Sequence, residues 1–200
     1  MREFSRIFAG DSLDLTDLKT EGITADVEET GQTFEANAVL KAIAYRDMSG
    51  LAALADDSGL VVDALDGRPG VRSARYAGQG DAGENATDAE NVARLTEELK
   101  DIPLTLRTAR FECVIAVAMP GKAVVTFTGS VAGTIAEAPR GDGGFGYDPV
   151  FLLPNSGAQF GGMTMAQLSP EEKGGLSHRG LAAGKAARWL RSLEAAPEYN

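Results

Sequence analysis

The segment from Leu104 to Ser130, "LTLRTARFECVIAVAMPGKAVVTFTGS", does most to restrict what this chain can fold into. Within residues 105–119, Arg107, Ala109, Phe111, Cys113, Ile115 and Val117 alternate with their neighbours, the period-two spacing of a strand whose side chains point to opposite faces. Pro120-Gly121 follows, and a second strand-like run occupies 123–130. Together they predict a hairpin of two long strands.

Around this hairpin the spacing predicts helices. Thr33 is placed to cap a helix through about Arg46, with Glu35 in its first turn and Phe34, Val39, Leu40 and Ile43 available for burial. A second helix fits 88–100, where Val92, Leu95 and Leu99 recur at helical spacing. Ser169-Pro170-Glu171-Glu172 supplies a cap residue, a proline at the first helical position and a glutamate at the third, so a helix starts there. "SHRG" leads into a final helix whose alanines, Trp189 and Leu193 can pack inward. Two apolar runs, 51–55 and 60–65, read as strands separated by an Asp-Asp-Ser-Gly break, and "DGRPG" reads as a turn. Strands and helices mix without strict alternation, which predicts an α/β fold with a mixed sheet. The 200 residues suit a single domain, or two lobes sharing a sheet.

Charge and cysteine content narrow the function. Nineteen basic against 29 acidic residues leave a net charge of −10, which argues against broad nucleic-acid binding but allows a small anionic ligand where cations gather locally. One cysteine excludes an intramolecular disulfide and suits a reducing compartment. Cys113 lies within the alternating run and reads as a buried strand residue rather than a nucleophile. The opening "MREFSRIFAG" has no signal-peptide core, and no apolar run reaches the roughly 18 residues of a membrane span. The expectation is a soluble cytoplasmic protein with no membrane partner, in which Asn85-Ala86-Thr87 is not a glycosylation site.

Four places carry chemistry. In "ADDSGLVVD", residues 55–63, two adjacent carboxylates sit between apolar runs. On a strand they face opposite ways, so Asp57 can serve a ligand that Asp56 does not see, and Mg²⁺ is commonly held by one or two carboxylates plus substrate phosphate. Glu28-Glu29-Thr30-Gly31 is a second acidic site, and Lys41 on the following helix can reach an anion or extend to solvent. In "GDGGFGYDP", Gly143, Gly144 and Gly146 permit tight turns, Phe145 and Tyr147 offer rings for stacking, and Asp148 offers an acceptor. No Walker sequence is present. His178, the only histidine, precedes Arg179 at a helix entrance, with Lys173 five residues earlier. Helix-start N–H groups and an arginine fork suit anions or polarised carbonyls. With one histidine there is no zinc spacing and no Ser-His-Asp set, so any hydrolytic metal site rests on carboxylates.

Taken in order, "TGQTFEANAVLKA" (30–42), "ADDSGLVVDALDGRPGVRSARYAG" (55–78), "GGFGYDPVF" (143–151), "TMAQLSPEEK" (164–173) and "SHRG" (177–180) resemble the inosine triphosphate pyrophosphatase family, the non-canonical purine nucleoside triphosphate pyrophosphatases of the Ham1/RdgB type. The resemblance covers nearly the whole chain. It implies one domain over 1–200, an elongated two-lobed α/β fold with a long central mixed sheet, helices around it and a cleft between the lobes, in a homodimer. It implies Mg²⁺-dependent hydrolysis of ITP, dITP and XTP to the monophosphate and pyrophosphate. By motif, Asp57 resembles the proton acceptor and a metal ligand, with Glu28 the second carboxylate. Lys41, Ser58, Phe145, Gly146, Tyr147, Asp148, Lys173, His178 and Arg179 resemble substrate-binding positions, the last two near the purine 6-oxygen. Asp57 is then expected to face the cleft and Asp56 the protein.

One piece of the family pattern precedes this chain. Members usually open with a strand ending in Thr/Ser-x-Asn-x-x-Lys, and Met1-Arg2-Glu3-Phe4 aligns just after that lysine. Either Met1 is an internal methionine of a longer protein or the chain is natively short. A natively short chain lacks the loop that cradles the triphosphate. About three lost charge-assisted hydrogen bonds cost on the order of 4–9 kcal/mol, which leaves a nucleotide-binding or dimer-forming protein with impaired catalysis as the alternative. A pyrophosphatase of the Maf type is a third reading, opposed by "FGYDPVF" and "SHRG".

Overall fold

A computed structural model describes residues 7–8, 14–78, 85–155, 159–174 and 176–194. The alignment of Met1–Phe4 falls outside them. The first long helix, α1 (Phe34–Ser49), begins where Thr33 takes an extended conformation and its side chain accepts a hydrogen bond from the Ala36 N–H, and it ends at Gly50 in the left-handed region. Strand β1 (Ala53–Val62) follows, then α2 (Asp88–Leu99), β2 (Thr108–Ala118), β3 (Val125–Ile135), the two-residue β4 (Phe151–Leu152), the short α3 (Pro170–Gly174) and α4 (His178–Glu194). The strands form one sheet in the order β1-β2-β3-β4, with β4 antiparallel to β3 through Thr134 opposite Leu152 and Ile135 opposite Phe151. The fold is α/β.

The chain divides into two compact units. One holds residues up to Asp57, Cys113–Gly129 and the chain from His178 onward; the other holds Ser58–Glu112 and Ser130–Ser177. β1 thus contributes its first half to one unit and its second half to the other.

The core of the first unit comes from two patterns read earlier. Cys113, Ile115 and Val117, alternate residues of β2, meet Ala182, Ala183, Ala186 and Ala187, spaced at helical intervals along α4. Small side chains bring the helix backbone close to the strand. Trp189 and Leu190 pack against this cluster, but Leu193, expected inside, is 37% exposed, because it falls beyond the alanine stripe. On α1 the buried residues are Phe34, Asn37, Ala38 and Ala42. Leu40 was expected among them and is exposed; the helix instead turns its small-residue face inward.

In the second unit, Val92, Leu95 and Leu99 of α2 are buried with Leu60, Val62, Phe111, Ile135 and Phe151. The rings of Phe111 and Phe151 lie 4.4 Å apart between centroids. α2 is capped by Thr87 and Glu90, which exchange side-chain and backbone bonds, so Thr87 of the Asn-Ala-Thr triplet serves as a helix cap.

The structure departs from expectation at β1. The Asp-Asp-Ser-Gly stretch is no break: Ala53 through Val62 form a single ten-residue strand. Gly59, which reads as a turn residue, is there because a Cβ would lie 2.3 Å from the Ser73 hydroxyl and 2.7 Å from the Gly70 carbonyl oxygen. Ser73 accepts from the Leu60 N–H at 2.9 Å and donates to Gly70 at 2.6 Å. Residues Leu104–Leu106 form a short 3-10 turn, so β2 starts at Thr108 rather than 105. β3 runs on to Ile135.

Candidate active site

The predicted site residues fall into two sets. The first is built around Asp57, midway along β1. Asp57 is 9% exposed, and its Oδ2 accepts a hydrogen bond from Asn37 Nδ2 at 3.0 Å. The other end of the Asn37 amide, Oδ1, accepts from the Gly31 N–H at 2.7 Å. One fully buried side chain therefore ties the acidic loop, α1 and β1 together. Lys41, one turn further along α1, sits 2.6 Å from Glu29 Oε1 and 3.8 Å from Asp57 Oδ1. Asn37 and Lys41 share a helix face because they are four residues apart. That spacing is the signal by which the sequence could have revealed Asn37, which the motif reading passed over.

Glu28, expected as the second carboxylate, is exposed; Glu29 is the half-buried neighbour that holds Lys41. Lys41 is not a surface lysine extended to solvent, since its side chain is 15% exposed and lies between two carboxylates.

Asp56 points the other way, as consecutive strand residues must. Its Oδ2 accepts from Arg179 Nε at 3.0 Å and lies 4.0 Å from the Cys113 thiol. Arg179 is the second residue of α4, and the buried His178 is the first. The two candidate donors at the helix entrance thus belong to the same unit as Asp57.

The second set is built on the glycine-dense loop. Asp148 is buried, and its Oδ2 accepts from the Phe145 N–H at 2.8 Å and from the Lys173 ammonium. That ammonium lies 4.3 Å from the centre of the Phe145 ring, within cation–π range. Gly144 has φ +76°, and a Cβ there would sit 2.1 Å from Asp148 Oδ2, so the tight turn that presents Phe145 requires glycine. Phe145 is 55% exposed. Tyr147, expected as a second stacking ring, is 4% exposed, and its hydroxyl donates to the Ser73 carbonyl at 2.8 Å. Burial pushes the Tyr147 phenol above its ordinary pKa. Its role is to anchor the loop in the core. Gly146 donates its N–H to Asp88 Oδ2 at 2.6 Å, a contact from the first residue of α2 that the motifs did not suggest. Ser58 lies half-buried on β1 in this unit.

Among the described residues, no three His, Cys, Asp or Glu side chains gather as an all-protein metal cage. A hard cation does not need one: Mg²⁺ usually takes one or two carboxylates and leaves its remaining positions to water and substrate phosphate. Asp57 and the Glu28-Glu29 loop supply oxygen donors of the right kind, so the donor set fits that ion.

The profile of the Ham1 family matches residues 1–189. The chain belongs to the Ham1 family. Its Ham1 relatives include a dITP/XTP pyrophosphatase of Geobacillus kaustophilus, 51% identical over 185 residues, covering 92% of this chain and 86% of the relative. The dITP/XTP pyrophosphatase of Bacillus subtilis is 44% identical over 192 residues, covering 96% and 92%. Among solved structures, the Staphylococcus aureus Ham1 protein superposes with a TM-score of 0.84 at 41% identity, covering 96% of this chain and 93% of that one. No described helix of this Ham1 chain is long and apolar enough to cross a membrane.

Proposed function

We propose that this protein is a nucleoside triphosphate pyrophosphatase that hydrolyses the non-canonical purine nucleotides ITP, dITP and XTP to monophosphate and pyrophosphate, and so clears them from the nucleotide pool. The observation that carries the reading is the buried Asp57, braced by Asn37 and flanked by Lys41 and Glu29. Relatives that share 44–51% of the sequence are named dITP/XTP pyrophosphatases.

In this reading Asp57 takes the proton of a water that attacks the α-phosphorus, and the bond from that phosphorus to the bridging oxygen of the pyrophosphate breaks. Asn37 keeps the carboxylate in place, and Lys41 supplies positive charge beside it. We assign Asp57 and Glu28 as the carboxylates that hold Mg²⁺, which when bound neutralises charge on the phosphates. The exposed Phe145 ring, with Gly146, Tyr147, Asp148 and Lys173 shaping its loop, serves the base and sugar, and Ser58 is a further substrate contact. His178 and Arg179 donate to the purine 6-oxygen. Hypoxanthine and xanthine accept there, whereas adenine's amino group leaves those donors unpaired. We further propose that the protein works in the cytoplasm as a homodimer.

The test is Mg²⁺-dependent pyrophosphate release from ITP, dITP and XTP, with ATP and GTP as controls. Turnover that favours ITP and is lost in Asp57→Asn supports the reading. Folded protein that binds ITP without releasing pyrophosphate overturns it, and a measured mass of one chain overturns the dimer.

A further inference from the structure

Asp56 stands in the middle of β1, where a carboxylate is a poor strand former. The ion pair it makes with Arg179 is about a quarter exposed on each side, 25% for Asp56 and 29% for Arg179, and a pair that open to water adds little to stability. Stability alone therefore does not account for the residue. Its geometry does. Oδ2 of Asp56 meets Nε of Arg179 at 3.0 Å, and the same oxygen lies 4.0 Å from the thiol of the fully buried Cys113. The carboxylate is thus fixed from behind by β2 and grips the guanidinium at its inner edge. A guanidinium is planar, so a partner that fixes Nε fixes the plane and the direction of the two terminal nitrogens.

We propose that Asp56 is a positioning residue for base selection: it sets the plane of the Arg179 guanidinium, and through it the preference for a 6-carbonyl over a 6-amino purine. The proposal rests on the reading of Arg179 as a donor to the purine 6-oxygen. Adjacent residues of one strand then divide the work, Asp57 serving the phosphate chemistry and Asp56 the choice of base.

The consequence is specific to the 6-position. ITP and GTP share the 6-oxygen, whereas ATP carries an amino group there. The experiment measures kcat and KM for ITP, GTP and ATP in the full chain and in Asp56→Asn, Arg179→Ala and the double variant, with thermal midpoints alongside. Asp56→Asn is expected to lower the ITP-to-ATP ratio of kcat/KM by about tenfold, chiefly through KM for ITP, and to leave the ITP-to-GTP ratio and the midpoint unchanged. In the Arg179→Ala background it should lower the ratio no further. An unchanged ITP-to-ATP ratio in Asp56→Asn, or the same loss with and without Arg179, overturns the positioning role while the pyrophosphatase reading stands. If the wild-type chain fails to hydrolyse ITP, both fall. Should Asp56→Asn not fold, Arg179→Lys keeps the charge and removes the planar fork: a similar fall in the ratio supports the proposal, and full retention overturns it.

Discussion

Asn37 is the residue on which the Asp57 set depends, and no motif reading points to it. Its amide is fully buried and used at both ends. Replacing it by alanine removes that partner from the Gly31 N–H and from one Asp57 oxygen, and each such loss costs roughly 1–3 kcal/mol. Asn37→Ala is therefore expected to lose about 2–4 kcal/mol in urea denaturation and to lower kcat more than it raises KM, because the brace acts on the carboxylate proposed to take the proton. Gly144 makes the same kind of argument in the loop. Gly144→Ala combines a left-handed φ with a Cβ driven into Asp148, at a cost of about 1–3 kcal/mol. The Phe145 N–H bond should break, and kcat/KM for ITP should fall with little change in kcat. At this scale the sequence was legible at Asp56 and Asp57, whose alternation along the strand turns them to different partners. It was not legible where an ordinary amide is recruited by position, as at Asn37, or where an aromatic ring is swallowed by the core, as at Tyr147.

The elements were legible where local signals agree with the tertiary fold. Thr33 and Ser169 cap helices as their sequences indicate, and Val92, Leu95 and Leu99 bury one stripe of α2. β1 was misread because Asp-Asp-Ser-Gly has the local character of a turn, while its glycine answers to Ser73 and Gly70, partners distant enough in sequence that no local window weighs them. Leu40 was misjudged because α1 seats its small residues inward, a choice made by what it packs against. On α2, burial alone would raise the pKa of Glu98, but hydrogen bonds from Tyr76 and Arg94 and the charge of Arg68 outweigh it and hold the carboxyl below its ordinary 4.5. Burial, helped by the hydrogen bond to Glu98 and its charge, pushes the Tyr76 phenol up to about 12. A lowered native pKa gives stability that is present above 4.5 and is lost as pH falls through the native value. Glu98→Gln should accordingly cost about 1 kcal/mol at neutral pH, and its deficit relative to wild type should shrink in denaturation measured well below pH 4.5.

For the whole molecule, a net charge of −10 set against a proposed polyanionic substrate calls for cations supplied locally, a part the proposed function gives to Lys41 and a divalent ion. Chelation is expected to abolish pyrophosphate release, and added Mg²⁺ to restore it. The thermal midpoint should move by only a few degrees, because each unit has an apolar core of its own that owes nothing to an ion. The alternation of Asp56 and Asp57 along β1 has a last consequence, for how such a chain can vary over generations. A strand keeps count modulo two. One residue gained between Ala53 and Asp56 and passed down the strand would put Asp56 where Asp57 now meets Asn37 and turn Asp57 to the opposite face. A gain of two would restore the parity but carry both carboxylates roughly 7 Å along the strand, out of reach of Asn37 and Arg179. Face and position along the strand are thus fixed together, and this strand can vary in the residues it carries but not in their number.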